Sequence, residues 1–189
     1  MQNIILAAGL GKRSGGEKLF YPWKGKDILH HTVQASLEAG LFTIVVTGFQ
    51  KERVEASLSD LARPSLLLSY NPSFSDGQFS STQTGVRFLR PDEDFFITVG
   101  DLPLIESTHY HMLALHLEGY NGVRPFCNGK PGHPVLLRYL FAPMILEAGK
   151  DESMHHLLTR PDMLAYATED TAFVTDIDTA QAYEKILRK

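Results

Sequence analysis

Apolar residues in this chain fall into two alternating patterns. Short unbroken runs, NIILAAG at 3–9, FTIVVTG at 42–48, SLLLSY at 65–70 and DFFITV at 94–99, read as buried strands. The first two end in glycine, and the third stops at Asn71 and Pro72. Between them lie stretches with helical spacing. Residues 27–39 set Ile28, Val33 and Leu37 on one face, with Gly40 as the stop. KERVEASLSDLA at 51–62 and ESTHYHMLALHLE at 106–118 follow the same period, as do MHHLLT at 154–159 and the final TAQAYEKILRK. QFSSTQTGVRFL at 78–89 reads as a helix despite its poor helix-forming Ser and Thr residues. LAYA at 164–167 and AFVTDID at 172–178 read as short strands, and the Gly- and Pro-rich stretch 120–137 is left unassigned.

Strand–helix alternation over 189 residues predicts one α/β layer domain with a largely parallel sheet, and there is no internal repeat or linker. Ligands in such folds lie beyond the carboxyl ends of the strands. That rule gathers AAGLGKR, Thr47–Gly48, Asn71–Pro72 and GDLP at one edge. Composition narrows the function classes. Against 22 Asp and Glu stand 18 Lys and Arg, a formal charge of -4, which disfavours a general nucleic-acid surface. Cys127 is the single cysteine, excluding an internal disulfide or a multi-cysteine zinc site. IILAA is too short for a signal or membrane segment and no basic stretch precedes it, so a cytoplasmic protein without a membrane partner is expected.

The stretch ILAAGLGKRSGGEKL places Gly9, Gly11, Gly15 and Gly16 among Lys12, Arg13 and Lys18. Glycine turns let backbone N–H groups approach phosphate oxygens, and the basic side chains neutralise what the amides hold. The plainer reading is a surface turn with solvated charges. Two familiar phosphate loops do not fit. The dinucleotide fingerprint requires glycine where Ser14 stands, and a P-loop requires Gly-Lys-Ser/Thr where Gly16-Glu17-Lys18 stands.

LAAGLGKRSGGEK is similar to the signature loop of the MobA-like NTP transferases. The resemblance continues in order through VVTG, NPSFSDGQFSST, GDLP, GHPVLL and DIDT over nearly the whole chain, 1–189, and is nearest the molybdenum cofactor cytidylyltransferase branch. It implies a single Rossmann-like three-layer domain of the nucleotide-diphospho-sugar transferase type, with a mostly parallel mixed sheet. It also implies magnesium-dependent transfer of a nucleoside monophosphate, CTP favoured as donor, to a phosphorylated acceptor such as molybdopterin. Pyrophosphate leaves, and the product is delivered to a molybdoenzyme or its chaperone.

Carried over by position, Leu6, Ala7, Ala8, Gly9, Gly11, Lys12, Arg13, Lys18, Asn71, Gly77, Ser80, Ser81 and Asp101 bind nucleotide. Arg13, Lys18 and Asp101 serve catalysis, Asp101 and Asp178 hold Mg²⁺, and Gly132 and His133 meet the acceptor. The residues allow blander readings of several of these. Asp101 suits a turn or helix cap and Asp178 an N-cap, while Asn71, Ser80 and Ser81 are ordinary turn residues. Asp176 and Asp178, two apart in a strand, would share a face, where a cation relieves their repulsion. His109, His111 and His116 read as helix surface, and the pairs His30–His31 and His155–His156 cannot share a helix face.

One departure counts. Where the cytidylyltransferase branch has Gly-Asp-x-Gly-Ala-Arg, this chain has GKDESMHHLL from Gly149, so that acceptor contact does not carry over. A sugar-1-phosphate uridylyl- or guanylyltransferase and a non-catalytic nucleotide-binding protein therefore remain alternatives.

Overall fold

The computed structural model describes residues 1–11, 16–61, 64–149, 153–177 and 180–187. Its centre is an eight-stranded mixed sheet in the order β10-β7-β9-β6-β1-β4-β5, with β8 paired to β7. These strands are β1 (Gln2–Ala7), β4 (Phe42–Thr47), β5 (Leu66–Tyr70), β6 (Phe95–Val99), β7 (Gly122–Cys127), β8 (Lys130–Pro131), β9 (Val135–Leu137) and β10 (Met163–Thr168). β2 (Pro22–Trp23) and β3 (Lys26–Asp27) form a separate two-stranded hairpin. The helices are α1 (Ile28–Glu38), α2 (Lys51–Ser57), α3 (Gln78–Val86), α4 (Ser107–Leu115), α5 (Phe141–Glu147), α6 (Met154–Leu158) and α7 (Ala180–Leu187). None of the described helices is long and apolar enough to cross a membrane.

β1, β4, β5 and β6 run parallel, and β10 runs parallel to β7; β9 is antiparallel to both β6 and β7. Register fixes the layers, since same-face residues line up across strands. Ile4 pairs with Ile44 and Ile97, and Ile97 with Val135; this row packs under α3 and α5 with Val86, Phe141 and Ile145. One residue on, Ile5 and Val45 face the opposite side, against Leu29 and Val33 of α1 and Val54 of α2. Phe96 and Leu136 meet Tyr110 and Leu113 of α4 on that same side. The result is the α/β layer arrangement that the alternating pattern predicts, in the three-layer form that the family resemblance implies.

α1 begins as its sequence suggests, with the Asp27 carboxylate accepting from the His30 N–H at 2.8 Å. α3 is helical against its propensity. Tertiary packing compensates: a Cβ at Gly85 would meet the Ile4 side chain, so the helix lies directly on β1.

Two stretches without an assigned element gain one, and one expectation is corrected. Residues 120–137 carry β7, β8 and β9. The sequence signal is hidden because Pro125 interrupts β7, and it is tolerated because β9 pairs only Gly122 and Val123 while β8 pairs Phe126 and Cys127. α5, with Pro143 in its first turn, is not foreseen by the sequence reading. Among the described residues of AFVTDID, 172–177, there is no strand: Thr171–Val174 is a 3₁₀ turn capped by Asp170, whose carboxylate accepts from the Ala172 N–H at 2.9 Å. Ala172 and Phe173 are buried in succession, a pattern that alternation cannot produce. The same-face argument for Asp176 and Asp178 falls with that strand.

A polar network is sealed between β1, α1, β4, β6 and α4. Asn3 Nδ2 donates to Ser36 Oγ (2.9 Å) and Tyr110 Oη (3.2 Å), its Oδ1 accepts from Thr98 (2.9 Å), and Ser36 bonds Thr43 (2.7 Å). Burial pushes the Tyr110 phenol up to about 12, against the opposing pull of bonds from Thr98, Asn3 and Ser36. A raised acid pKa leaves stability intact below the ordinary value near 10 and removes it as pH climbs toward the folded value. Tyr110→Phe should therefore cost about 1–2 kcal/mol at neutral pH. That deficit should shrink by about 1.4 kcal/mol at about pH 11, because only the parent loses this contribution. Urea unfolding of both proteins at the two pH values measures it.

Candidate active site

Beyond the carboxyl ends of β1, β4 and β6 the backbone is stitched across strands. Gly100 N–H donates to Leu6 O (3.1 Å), Phe49 N–H to Ala8 O (3.3 Å) and Asn71 N–H to Thr47 O (2.9 Å). Gly48 makes one of these approaches feasible, since a Cβ there would stand 2.6 Å from Ala8 O and 2.8 Å from Phe74 Cβ. Over this edge opens a cavity of about 340 Å³. β1 and the residues after it contribute Leu6, Ala7, Ala8, Gly9 and Gly11 to its lining, the start of α3 contributes Gly77 and Ser81, and Lys18 and Asp101 line it as well.

The glycine loop leaves β1 and returns at Gly16, whose N–H donates to Gly11 O at 3.0 Å. Gly16 has φ 86, a left-handed conformation, and its carbonyl accepts from Gln50 Nε2 at 2.9 Å. Glu17 anchors the exit by a two-pronged pair with Arg53 at 2.8 and 3.0 Å. The Arg53 hydrogen bond holds the Glu17 carboxyl below its ordinary range. Lys12 and Arg13 lie outside the described residues, as does Asp178.

Lys18 opens a 3₁₀ turn (Lys18–Phe20), and its Nζ sits 2.5 Å from Asp101 Oδ2. The side chains are 23% and 7% exposed, so the carboxylate is the more deeply buried partner. Asp101 is held by its backbone. The Thr32 hydroxyl donates to Gly100 O (3.2 Å), and Ile177 N–H donates to Asp101 O (3.3 Å). The chain just before Asp178 thus returns to Asp101.

Asn71 and Ser80 do not line this cavity. The buried Asn71 amide donates to Ser80 Oγ (2.9 Å) and Ser81 Oγ (3.0 Å), and its Oδ1 accepts from Ser73 N–H (2.9 Å). Ser80 in turn caps Gly77 O and Ser73 O, so the pair shapes the wall on which Gly77 and Ser81 stand. Gly132 and His133 lie further along the edge, where His133 N–H donates to Phe173 O and Gly132 N–H to Pro125 O. His133 Nδ1 donates to Ile97 O at 3.1 Å, leaving Nε2 with the lone pair. Burial, and secondarily the Arg124 charge, pushes its pKa down, so the ring is neutral at neutral pH. Asp176 lines a neighbouring recess with Lys130, Gly132 and His133.

His109, His111 and His116 serve structure. His109 closes the α4 capping box and reaches Asp170 at 3.0 Å, His111 bonds Ala39 O and His116 bonds Met112 O. Sequence reading missed Gln78, Thr82 and Arg124, which line a second cavity. A lone arginine inside the apolar stretch GVRPFC was the available signal for Arg124.

Among the described residues no group of three or more His, Cys, Asp or Glu could hold a metal alone. Magnesium on a triphosphate needs less, one or two carboxylates with phosphates and water completing its shell, and a buried Asp101 lining the same cavity as Gly9 and Gly11 fits that need.

Glycine backbone, a lysine and a carboxylate facing one cavity over parallel strand ends are the parts that nucleotidyl transfer uses. The chain belongs to the MobA-like NTP transferase domain family, whose profile matches residues 3–175. It is 27% identical over 177 residues to the molybdenum cofactor cytidylyltransferase of Escherichia coli K12, covering 93% of this chain and 90% of that protein. Two solved structures share the fold. Rv0371c of Mycobacterium tuberculosis H37Rv gives a TM-score of 0.83 at 16% identity, covering 100% of this chain and 98% of that one. A nucleotidyl transferase from Methanothermobacter gives 0.79 at 21%, covering 98% and 94%.

Proposed function

We propose that this protein transfers a nucleoside monophosphate, with CTP the favoured donor, to a phosphorylated acceptor of the molybdopterin type. The observation that carries the reading is that the Lys18–Asp101 pair lines one cavity together with Gly9, Gly11 and Gly16. The function of the Escherichia coli relative supports the choice of base and acceptor.

In this reading an acceptor phosphate oxygen attacks the α-phosphorus in line. A new O–P bond forms, the bond to the β-phosphate oxygen breaks, and pyrophosphate leaves. A phosphate monoester has its second pKa near about 6, so the nucleophile is already ionised and no general base is required. Catalysis is then positioning and charge neutralisation. Gly11 and Lys12 hold phosphate oxygens, Arg13 and Lys18 counter the charge that develops, and Asp101 with Asp178 would hold Mg²⁺. The ion supplies neutralisation of the triphosphate. Ala7, Ala8 and Gly9 border the base or ribose, Gly77 and Ser81 close the far wall, and Gly132 and His133 meet the acceptor.

Pyrophosphate release with CTP, GTP, UTP and ATP, each against molybdopterin and sugar 1-phosphates, with and without Mg²⁺, tests this. Release with CTP and molybdopterin that requires Mg²⁺ is expected. Nucleotide binding without release in every pair would leave a binding protein instead.

A further inference from the structure

A second cavity of about 160 Å³ shares Leu6 and Gln78 with the first. It lies on the sheet face covered by α3 and α6, and Arg124, Thr82, His133 and His155 line it. Arg124 reaches it by register. Val123 pairs with Leu136 and packs toward α4, so the next residue of β7 turns to the opposite face, where Ile97 and Val135 lie.

The surroundings of Arg124 are unusual for a cation. Its side chain is partly buried, and burial pulls its pKa down. Among the described residues no carboxylate pairs with it, and its Nε–H is buried with no hydrogen-bond partner. The nearby Phe126 ring, 5.9 Å from the guanidinium carbon, does not satisfy that donor. A desolvated guanidinium with an unmet N–H is costly unless an anion completes it. The wall offers nothing to do so: the His133 ring is neutral, Gln78 and Thr82 are uncharged, and the remaining lining is apolar apart from His155 at the mouth. A planar five-donor fork matches the two-oxygen edge of a phosphate or carboxylate.

We propose that Arg124 and the cavity it lines form a subsite for an oxyanion of the acceptor, a phosphate or a carboxylate, one wall away from the triphosphate. This rests on the nucleotidyltransferase reading and adds to it the residue that grips the second substrate. Thr82 and Gln78 border the anion, and the Leu6–Gln78 wall separates it from the nucleotide.

The test uses inorganic phosphate and acetate as probes, titrated calorimetrically into the whole protein, both bare and saturated with α,β-methylene-CTP and Mg²⁺. Three proteins are compared: the parent, Arg124→Gln and His155→Glu. His155 is exposed, so the glutamate brings a rival carboxylate to the mouth without disturbing the core. The parent should bind an anion whether or not nucleotide is present. Either variant should weaken it about tenfold or more, with nucleotide-analogue affinity unchanged. Tighter phosphate than acetate identifies a phosphate group, and the reverse a carboxylate. Equal anion affinity in all three proteins, or none in the parent, overturns the subsite. Should Arg124→Gln fail to fold, His155→Glu decides alone. Pyrophosphate release on the same samples separates the two readings: Arg124-dependent anion binding without release sinks the enzymatic function only, and release with an unchanged acceptor KM in both variants sinks the subsite only.

Discussion

Lys18→Met is expected to lower kcat for nucleotide transfer by about 10²–10³-fold, the usual consequence of removing one fixed electrostatic donor from a transition-state site. Methionine keeps the stem and removes only the charge, so packing around the 3₁₀ turn survives. The loss should fall on kcat more than on the KM for nucleotide, because the glycine-loop amides still bind the triphosphate. Stability should fall as well. Lys18 Nζ lies 2.5 Å from an Asp101 carboxylate that is only 7% exposed, and without the ammonium that carboxylate stays buried and uncompensated. Discounting for the part-exposed lysine, a cost of about 1–3 kcal/mol is expected. Pyrophosphate release and urea unfolding read the two effects separately. Parent-like turnover would remove Lys18 from the chemistry.

The local signals of the sequence were enough to find the parallel half of the sheet. β1, β4, β5 and β6 are unbroken apolar runs, as strands buried on both faces must be, and the described helices between them carry period or caps. The antiparallel half was illegible for a physical reason. β8 has two residues and β9 three, and β7 contains both Pro125 and Arg124. Each is a strand only because neighbouring strands supply partners, which no window of sequence can show. The 3₁₀ turn at Thr171–Val174 misled for the converse reason: its apolar residues look like a strand, but Asp170 caps a turn and Phe173 O serves His133.

The same division runs through the site. Gly9, Gly11, Lys18 and Asp101, which the structure brings to one cavity, stand in motifs that family spacing marks. Asn71 and Ser80 were legible as a motif, but their hydrogen bonds face one another and the chain, so they set the position of Ser81 and Gly77 from behind. Arg124 and Thr82 were not legible. Arg124 comes to the cavity through pairing of β7 with β9, and Thr82 lies one helical turn beyond Gln78, so their meeting is a tertiary fact.

Asp101→Asn is expected to reduce turnover by about 10²-fold or more, and to raise the Mg²⁺ concentration for half-maximal rate by about 10–100-fold. The geometry makes this a clean substitution. Backbone bonds from Thr32 to Gly100 O and from Ile177 to Asp101 O fix the turn, and asparagine preserves them. Its stability cost should be smaller than that of Lys18→Met, because the lysine left behind is 23% exposed and can turn toward water. A purely structural aspartate predicts the opposite pair of results, a large loss of stability with the rate and Mg²⁺ dependence intact. The double variant sharpens the contrast. Removing both members of a buried pair leaves no orphaned charge, so Lys18→Met with Asp101→Asn should be more stable than Lys18→Met alone. Its activity should be no better than that of either single variant if, as proposed, the two groups act on the same triphosphate.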